Sequence, residues 1–243
     1  MTALFYPQPT ARRFWERAGA EEPFPRRLTT TILGVLQVAV IPLPRLTVAT
    51  AADWLARRGA DCLGDTPDRQ LCGCLVAQRG HAFIFVDGNL PEAERRLTIA
   101  HETAHFLHHY EAPRMFALGL LGETIKPVLD GDRAATPQER LRGALRGVPL
   151  GVYEHMLDRS DGLPDPTTAR LEAEADLIAF ELLAPMDVLL RTTEAGARCH
   201  TALEDRFGLP AWAAKRWGAW VDAQRGGDAF LSRLRAAREA VEP

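Results

Sequence analysis

The chain has 243 residues, of which 47% are hydrophobic and 25% are charged, and its formal net charge is −3. This composition predicts a globular protein with a sizeable core, and the charge argues against a nucleic-acid-binding protein. The longest apolar stretch, residues 31–43, is interrupted by Gly34 and Gln37 and is too short to cross a bilayer. The N-terminal residues lack the pattern of a signal peptide, so we expect a cytoplasmic protein without membrane contact.

The N-terminal half predicts two helices, a hairpin and a third helix. Residues 9–19 and 47–59 have helical spacing of apolar residues and end at glycine, whereas residues 27–40 mix helix and strand signals and stay open. Residues 70–77 and 81–86 are rich in β-formers and predict a hairpin. Pro91 suits the first turn of the next helix, which we expect to continue to about Tyr110 and to end at Pro113.

The second half is harder to interpret. Residues 111–168 contain an apolar stretch at 115–125, a turn at 130–132, a predicted helix at 136–146 and an amphipathic piece at 151–159 that we expect to be helical. After a linker at 161–168, residues 169–183 predict a helix that ends before Pro185. The tail predicts two helices joined at 207–210 and a further helix at 228–240.

The predicted third helix carries the motif His101-Glu102-Thr103-Ala104-His105. Residues four apart on a helix share a face, so both imidazoles can reach one tetrahedral zinc ion. Glu102 lies about 100° around the helix from His101 and can act as general base for the water that attacks a peptide carbonyl. The motif therefore predicts a zinc-dependent peptidase, in preference to a helix with two incidental surface histidines.

A zinc peptidase of this kind needs a third protein ligand. The metzincin pattern is absent, because no glycine stands at 108 and no histidine at 111, and we expect His108 and His109 to be outer or surface groups. The helix at 169–183 offers acidic residues instead. On a helical wheel Glu174 lies nearest its apolar stripe, which makes Glu174 the predicted ligand. Glu172 and Asp176 are expected to face solvent.

Two segments resemble the ImmA/IrrE family of bacterial metallopeptidases. Residues 95–109, RRLTIAHETAHFLHH, look like the active-site helix of that family, and residues 172–185, EAEADLIAFELLAP, resemble its second conserved helix. A weaker similarity covers residues 203–217. The resemblance implies a zincin-like α+β fold, mostly helical with a small sheet or hairpin before the motif helix, and zinc bound by His101, His105 and Glu174. It also implies cleavage of a helix-turn-helix repressor, encoded nearby, that controls stress-response transcription.

The organisation expected from this resemblance is a catalytic domain at 1–190 and a C-terminal helical subdomain, packed on it, at 191–243. The stretch between the two conserved helices is longer than family members usually have, so residues 111–168 are predicted to be an insertion that could cover the cleft. Tyr153, His155 and His200 are candidates for stabilising the tetrahedral oxyanion. An ordinary structural role is the alternative for each.

Two other functions stay open. Residues 203–220 superficially resemble a helix-turn-helix with three tryptophans, but their mixed charge gives direct DNA binding little support. A latent or inactive zincin, held closed until a partner opens it, is the other alternative. The substrate, the activating signal and the oligomeric state are not predicted by the sequence.

Overall fold

The structure is a computed structural model that describes residues 8–19, 22–60, 62–64, 66–141, 145–158, 165–192 and 199–224. The chain divides into two units. The first comprises residues 1–22 and 27–182, and the second comprises residues 23–26 and 183–243. The predicted boundary between a catalytic domain at 1–190 and a helical subdomain at 191–243 stays a prediction. No helix of the described residues has the length and apolar character that a membrane span requires.

The first unit is a mixed α+β structure. Its helices are α1 Gln8–Ala18, α2 Leu28–Val35, α3 Val48–Ala56, α4 Glu92–His105, α5 Ala112–Leu121, α6 Lys126–Leu129, α7 Pro137–Leu141 and α8 Pro166–Leu183, the last of which ends at the boundary with the second unit. Its strands are β1 Val38–Leu43, β2 Leu71–Gln78, β3 His81–Asp87 and β4 Tyr153–Asp158. The helices predicted at 9–19 and 47–59 and the predicted hairpin are confirmed. The undecided residues 27–40 form α2 and the start of β1.

The four strands form one sheet in the order β1-β3-β2-β4. β2 and β3 form a hairpin whose two loop residues, Arg79 and Gly80, both have positive φ, at 55° and 85°. This is the turn that matches the twist of paired strands, and it favours glycine. β1 lies parallel to β3, and β4 lies antiparallel to β2. β4 is therefore an edge strand, formed by residues for which we predicted a helix.

The two faces of the sheet have different roles. On one face Cys74, Val76 and Phe85 pack with α3 in a buried apolar core. The helix α3 is fixed at its start by a capping box, in which Thr47 and Thr50 exchange side-chain and backbone hydrogen bonds. The other face carries α4, whose residues from Leu97 to His105 are all buried. The motif helix thus packs against this face of the sheet.

The helix that carries the motif does not end at Pro113, in contrast to the prediction. After α4 the chain forms a π-helical segment, Phe106–Glu111, and continues directly into α5. Ala112 donates its N–H to the carbonyl of Leu107, five residues back. Proline lacks an N–H and disrupts α-helical bonding, so this wider turn carries the helix past Pro113 without a break.

Residues of the predicted insertion form part of the first unit. Ala117, Ile125, Val128, Leu129 and Val148 make a small buried core of their own. The predicted helix at 136–146 is present in part, as α7 at Pro137–Leu141; residues 142–144 lie outside the described part, and residues 145–147 form a turn.

A buried ion pair anchors this segment locally. The guanidinium of Arg114 donates to Asp130 at 2.5 Å, and both side chains are largely buried.

The second unit contains α9 Met186–Thr192, α10 Cys199–Asp205 and a helix, α11, at 211–224. Trp217 is fully buried, stacks on Trp220 at 4.7 Å and donates its indole N–H to the carbonyl of Ala184 at 3.3 Å. The tryptophans at 217 and 220 therefore serve packing, whereas Trp212 is exposed. The predicted helix at 228–240 lies outside the described residues.

Candidate metal centre

The two motif histidines converge as the helical spacing predicts. The Nε2 atoms of His101 and His105 lie 3.1 Å apart, and both side chains are buried. Their Nδ1 atoms point to other groups: that of His101 lies 3.0 Å from Asp176, and that of His105 lies 3.0 Å from Nδ1 of His109. Each ring thus directs Nε2 toward a common point.

The carboxylate at this common point belongs to Glu172. Its Oε2 lies 3.2 Å from Nε2 of His101, and its Oε1 lies 3.6 Å from Nε2 of His105. Asp176, one helical turn further along α8, contacts the opposite nitrogen of His101. The expectation that Glu172 and Asp176 face solvent is wrong, since their side chains are only 26% and 20% exposed and both contact His101.

Glu174, the ligand predicted from the sequence, lies in a different cluster. Its Oε2 is 3.4 Å from Nε2 of His109 and 3.7 Å from Nε2 of His108. The apolar stripe of α8 is buried at Ala175, Ile178 and Leu182, and the small residues Ala175 and Ala179 lie on the same helix face as Glu172 and Asp176. The small side chains leave room for the acidic pair, and the structure brings Glu172 rather than Glu174 to the two motif histidines.

Glu102 is completely buried beside this group. Its Oε2 lies 2.8 Å from Nδ1 of His155, and its Oε1 has no hydrogen-bond partner among the described residues. The close approach of α4 to β2 depends on Gly73, where a Cβ would lie 2.9 Å from Oε1 of Glu102. A buried carboxylate oxygen without a partner is costly, and this atom lies against β2 in the space that a side chain at Gly73 would fill.

Residues of β4 complete the site. Residues opposed across two strands share a face of the sheet, and His155 stands opposite Leu75 whereas Met156 stands opposite Cys74 of the α3-side core. His155 therefore faces α4, where its Nε2 lies 2.8 Å from Glu172 and its ring stacks on His105.

The two other candidates for oxyanion stabilisation lie differently. The hydroxyl of Tyr153 lies 3.4 Å from Nδ1 of His105, so it borders the motif histidines. His200 belongs to the second unit, where its backbone lies beside Gly218. The assignment of all three residues to oxyanion stabilisation stays a prediction.

The protonation of the cluster reflects competition between burial and the carboxylates. Burial opposes the charged form of His155, but Glu102 and Glu172 outweigh it and raise the pKa of His155 to about 10. For His101, Asp176 and Glu172 outweigh burial in the same way and raise the pKa to about 9. Burial also opposes the charged form of Glu172, yet hydrogen bonds from the histidines hold its pKa well below the ordinary range. The histidines at 101 and 155 thus favour the protonated form and Glu172 favours the ionised form, so protons stabilise this group in the place where a cation could bind.

The donor set fits a divalent transition-metal ion. Ligand atoms bound tetrahedrally at about 2.0–2.1 Å lie roughly 3.3 Å from one another. The two histidine Nε2 atoms lie 3.1 Å apart, and the two oxygens of Glu172 lie 3.2 Å from His101 and 3.6 Å from His105. His155 offers a fourth donor within the same 4.8 Å cluster. Imidazole and carboxylate ligands suit zinc better than Mg²⁺ or Ca²⁺, which prefer oxygen alone.

Residues 67–124 match the family model described as Peptidase_M78, IrrE N-terminal-like domain. The resemblance to the ImmA/IrrE family is confirmed for this segment. No curated protein gives a significant match to the chain. The matched residues include β2, β3, α4 and the motif, and they end before β4 and α8. The family match therefore supports a peptidase, but it does not include α8, and the third ligand has to be inferred from the geometry of that helix.

Sequence reasoning missed Glu172 and Asp176, although a signal was present. The two acids are four residues apart, the same spacing as His101 and His105. Two acids at this spacing lie on one helix face and can contact the same histidine. The histidine pair and the acid pair together therefore indicate that the two helices face each other.

Proposed function

We propose that the chain is a zinc-dependent endopeptidase with a zincin-like fold, in which His101, His105 and Glu172 hold the ion. The observation that carries the proposal is the convergence of these three donors beside the buried carboxylate of Glu102. When bound, zinc supplies a Lewis acid that polarises a carbonyl and lowers the pKa of water.

Two carboxylates have separate roles in this proposal. Glu102 accepts a proton as a water molecule attacks the peptide carbonyl carbon, and it returns that proton to the leaving amine nitrogen as the C–N bond breaks. Asp176 accepts a hydrogen bond from Nδ1–H of His101 at 3.0 Å, which fixes the ring with its Nε2 lone pair toward the ion. Glu102 is thus the catalytic base, and Asp176 is a positioning residue.

His155 supplies the hydrogen-bond donor that the reaction requires. The carbonyl oxygen becomes negative as the tetrahedral intermediate forms, and a donor aimed at that oxygen lowers the barrier. The ring of His155 reaches into the cluster from β4, with one nitrogen beside Glu102 and the other beside Glu172. A substrate that displaces the contact with Glu172 would receive that N–H, and Tyr153 lies near enough to His105 to assist.

The proposed substrate is a specific protein inside the cell. The ImmA/IrrE resemblance favours a helix-turn-helix repressor encoded nearby, whose cleavage would switch on stress-response genes. The test is a proteomic comparison of cells that express the wild type or Glu102→Gln. We expect one regulatory protein to disappear only with the wild type. If that protein disappears equally with Glu102→Gln, the role of Glu102 is wrong.

The ligand assignment has a separate test, because α8 provides a matched pair of variants. We expect Glu172→Ala to lose tightly bound zinc in equilibrium dialysis and Glu174→Ala to keep it. The opposite result would return the third-ligand role to Glu174, as the sequence alone predicts.

A latent zincin is the second candidate, and one observation favours it. His155 contacts both Glu102 and Glu172 at 2.8 Å. It therefore engages the carboxylate of the proposed base, and it could serve as a fourth protein ligand to the ion. Four protein ligands are typical of structural zinc sites, whereas catalytic sites keep one position open. In a latent protein, replacement of His155 would raise the rate of cleavage.

A further inference from the structure

A second group of metal-ligating side chains lies beside the first and has no part in the proposed reaction. It consists of His108 and His109, from the π-helical segment, and Glu174 of α8. The side chains are 30%, 9% and 18% exposed, respectively, so the group is accessible at its edge and mostly shielded from solvent. We define these three residues as the outer cluster.

The spacing within the outer cluster is that of ligands rather than of hydrogen-bonded partners. The Nε2 atoms of His109 and His108 lie 3.4 and 3.7 Å from the same oxygen of Glu174. Good N–H···O hydrogen bonds are about 2.7–3.2 Å long, whereas two ligand atoms on one tetrahedral ion are roughly 3.3 Å apart. We propose that the outer cluster binds a second divalent transition-metal ion, such as Zn²⁺ or Co²⁺.

The backbone accounts for two consecutive histidines serving one site. In an α-helix adjacent side chains point about 100° apart, but His108 and His109 lie in the π-helical turn, a feature that often marks functional sites. Their rings lie 4.9 Å apart, edge to face. The second oxygen of Glu174 lies 3.7 Å from the guanidinium of Arg170, which is two-thirds exposed. That contact is a weak surface pair, so it leaves the carboxylate able to bind an ion.

The outer cluster is linked to the first site through a contact between two histidines. Nδ1 of His109 lies 3.0 Å from Nδ1 of His105, and a hydrogen bond between them needs one hydrogen on one of the two atoms. If both rings bound an ion through Nε2, each would carry a hydrogen on Nδ1 and the two would collide. The two sites are therefore coupled, and an ion in the first site weakens binding in the second.

The test is a zinc titration of the full chain by equilibrium dialysis in buffered free zinc, with the metal content measured by mass spectrometry. We expect the wild type to bind two ions in separate steps, and His108→Ala to weaken the second step at least about tenfold while the first is unchanged. His81→Ala is the matched control, since His81 is exposed and lies outside both groups. It should bind two ions like the wild type.

The outcomes separate this proposal from the proposed function. A wild-type protein that binds one ion, or a second step that is unchanged in His108→Ala, would overturn the outer site while the first site stands. In Glu172→Ala we expect the tighter step to disappear and the outer cluster to bind more tightly than in the wild type, because coupling is reciprocal. An outer affinity equal to that of the wild type would refute the coupling and leave the site itself supported.

Discussion

The approach of α4 to the sheet depends on Gly73, and replacing Gly73 by alanine tests the placement of the catalytic base. A Cβ at this position would lie 2.6 Å from Cγ2 of Thr98 and 2.9 Å from Oε1 of Glu102. Carbon atoms in contact are normally about 3.5–4.0 Å apart, so the methyl group of Thr98 must move by roughly 1 Å and the Glu102 carboxylate by roughly half that distance. Overpacking of this kind costs about 1–3 kcal/mol, which lowers the melting temperature by about 2–12 °C at 2–4 °C per kcal/mol.

The same displacement should affect the chemistry. A misplacement of about 1 Å costs on the order of 100-fold in rate, so a shift of Glu102 by about half that distance should cost roughly 10-fold. The zinc content should stay unchanged because Glu102 is not among the proposed ligands. The assays are thermal unfolding, metal content and cleavage of the protein found by the proteomic comparison. Gly119→Ala is the matched control, since a Cβ there meets nothing within 4 Å and should stabilise α5 by about 0.5–1 kcal/mol. A Gly73→Ala protein with the stability and cleavage rate of the wild type would refute the reasoning.

Three further substitutions test the surroundings of the site. His155→Ala should lower the cleavage rate about 100- to 1,000-fold at unchanged zinc content, as expected for the loss of an oxyanion donor, and a faster rate would favour the latent form instead. Tyr110→Phe removes the hydroxyl that accepts a hydrogen bond from the Gly80 N–H at 2.8 Å, and should lower the free energy of unfolding by about 1 kcal/mol in urea titrations. Thr47→Ala removes the cap of α3 and should cost about 1 kcal/mol; an unchanged unfolding midpoint would show that the cap contributes nothing.

The motif could be predicted from the sequence because its geometry is local. His101 and His105 are separated by one turn of one helix, so any straight helix brings their Nε2 atoms near one point. The hairpin before the helix was predictable for the same reason, since two β-rich stretches flank a short turn that contains Gly80. Interactions within one element, or across a two-residue turn, need no knowledge of the rest of the fold.

The third ligand could not be predicted in this way because it depends on how α8 is rotated about its axis. A helical wheel shows which residues share a face, but it does not show which face meets α4. The acidic pair Glu172 and Asp176 lies on the face that contacts His101, while Glu174 reaches the outer cluster. Only the packing of α8 against α4, between residues about 70 positions apart, decides between these two arrangements.

The same dependence on distant pairing explains why β4 could not be predicted within residues 111–168, which were expected to cover the cleft. An amphipathic stretch of nine residues reads as a helix or as a strand until its partner is known, and the partner of β4 is β2, which precedes it by about 80 residues. Once the register places His155 opposite Leu75, the twofold alternation of a strand directs Tyr153 and His155 toward α4. The predicted insertion thus contributes a strand of the sheet and two residues of the site. A deletion of residues 111–158 should therefore remove part of the centre itself, rather than uncover it.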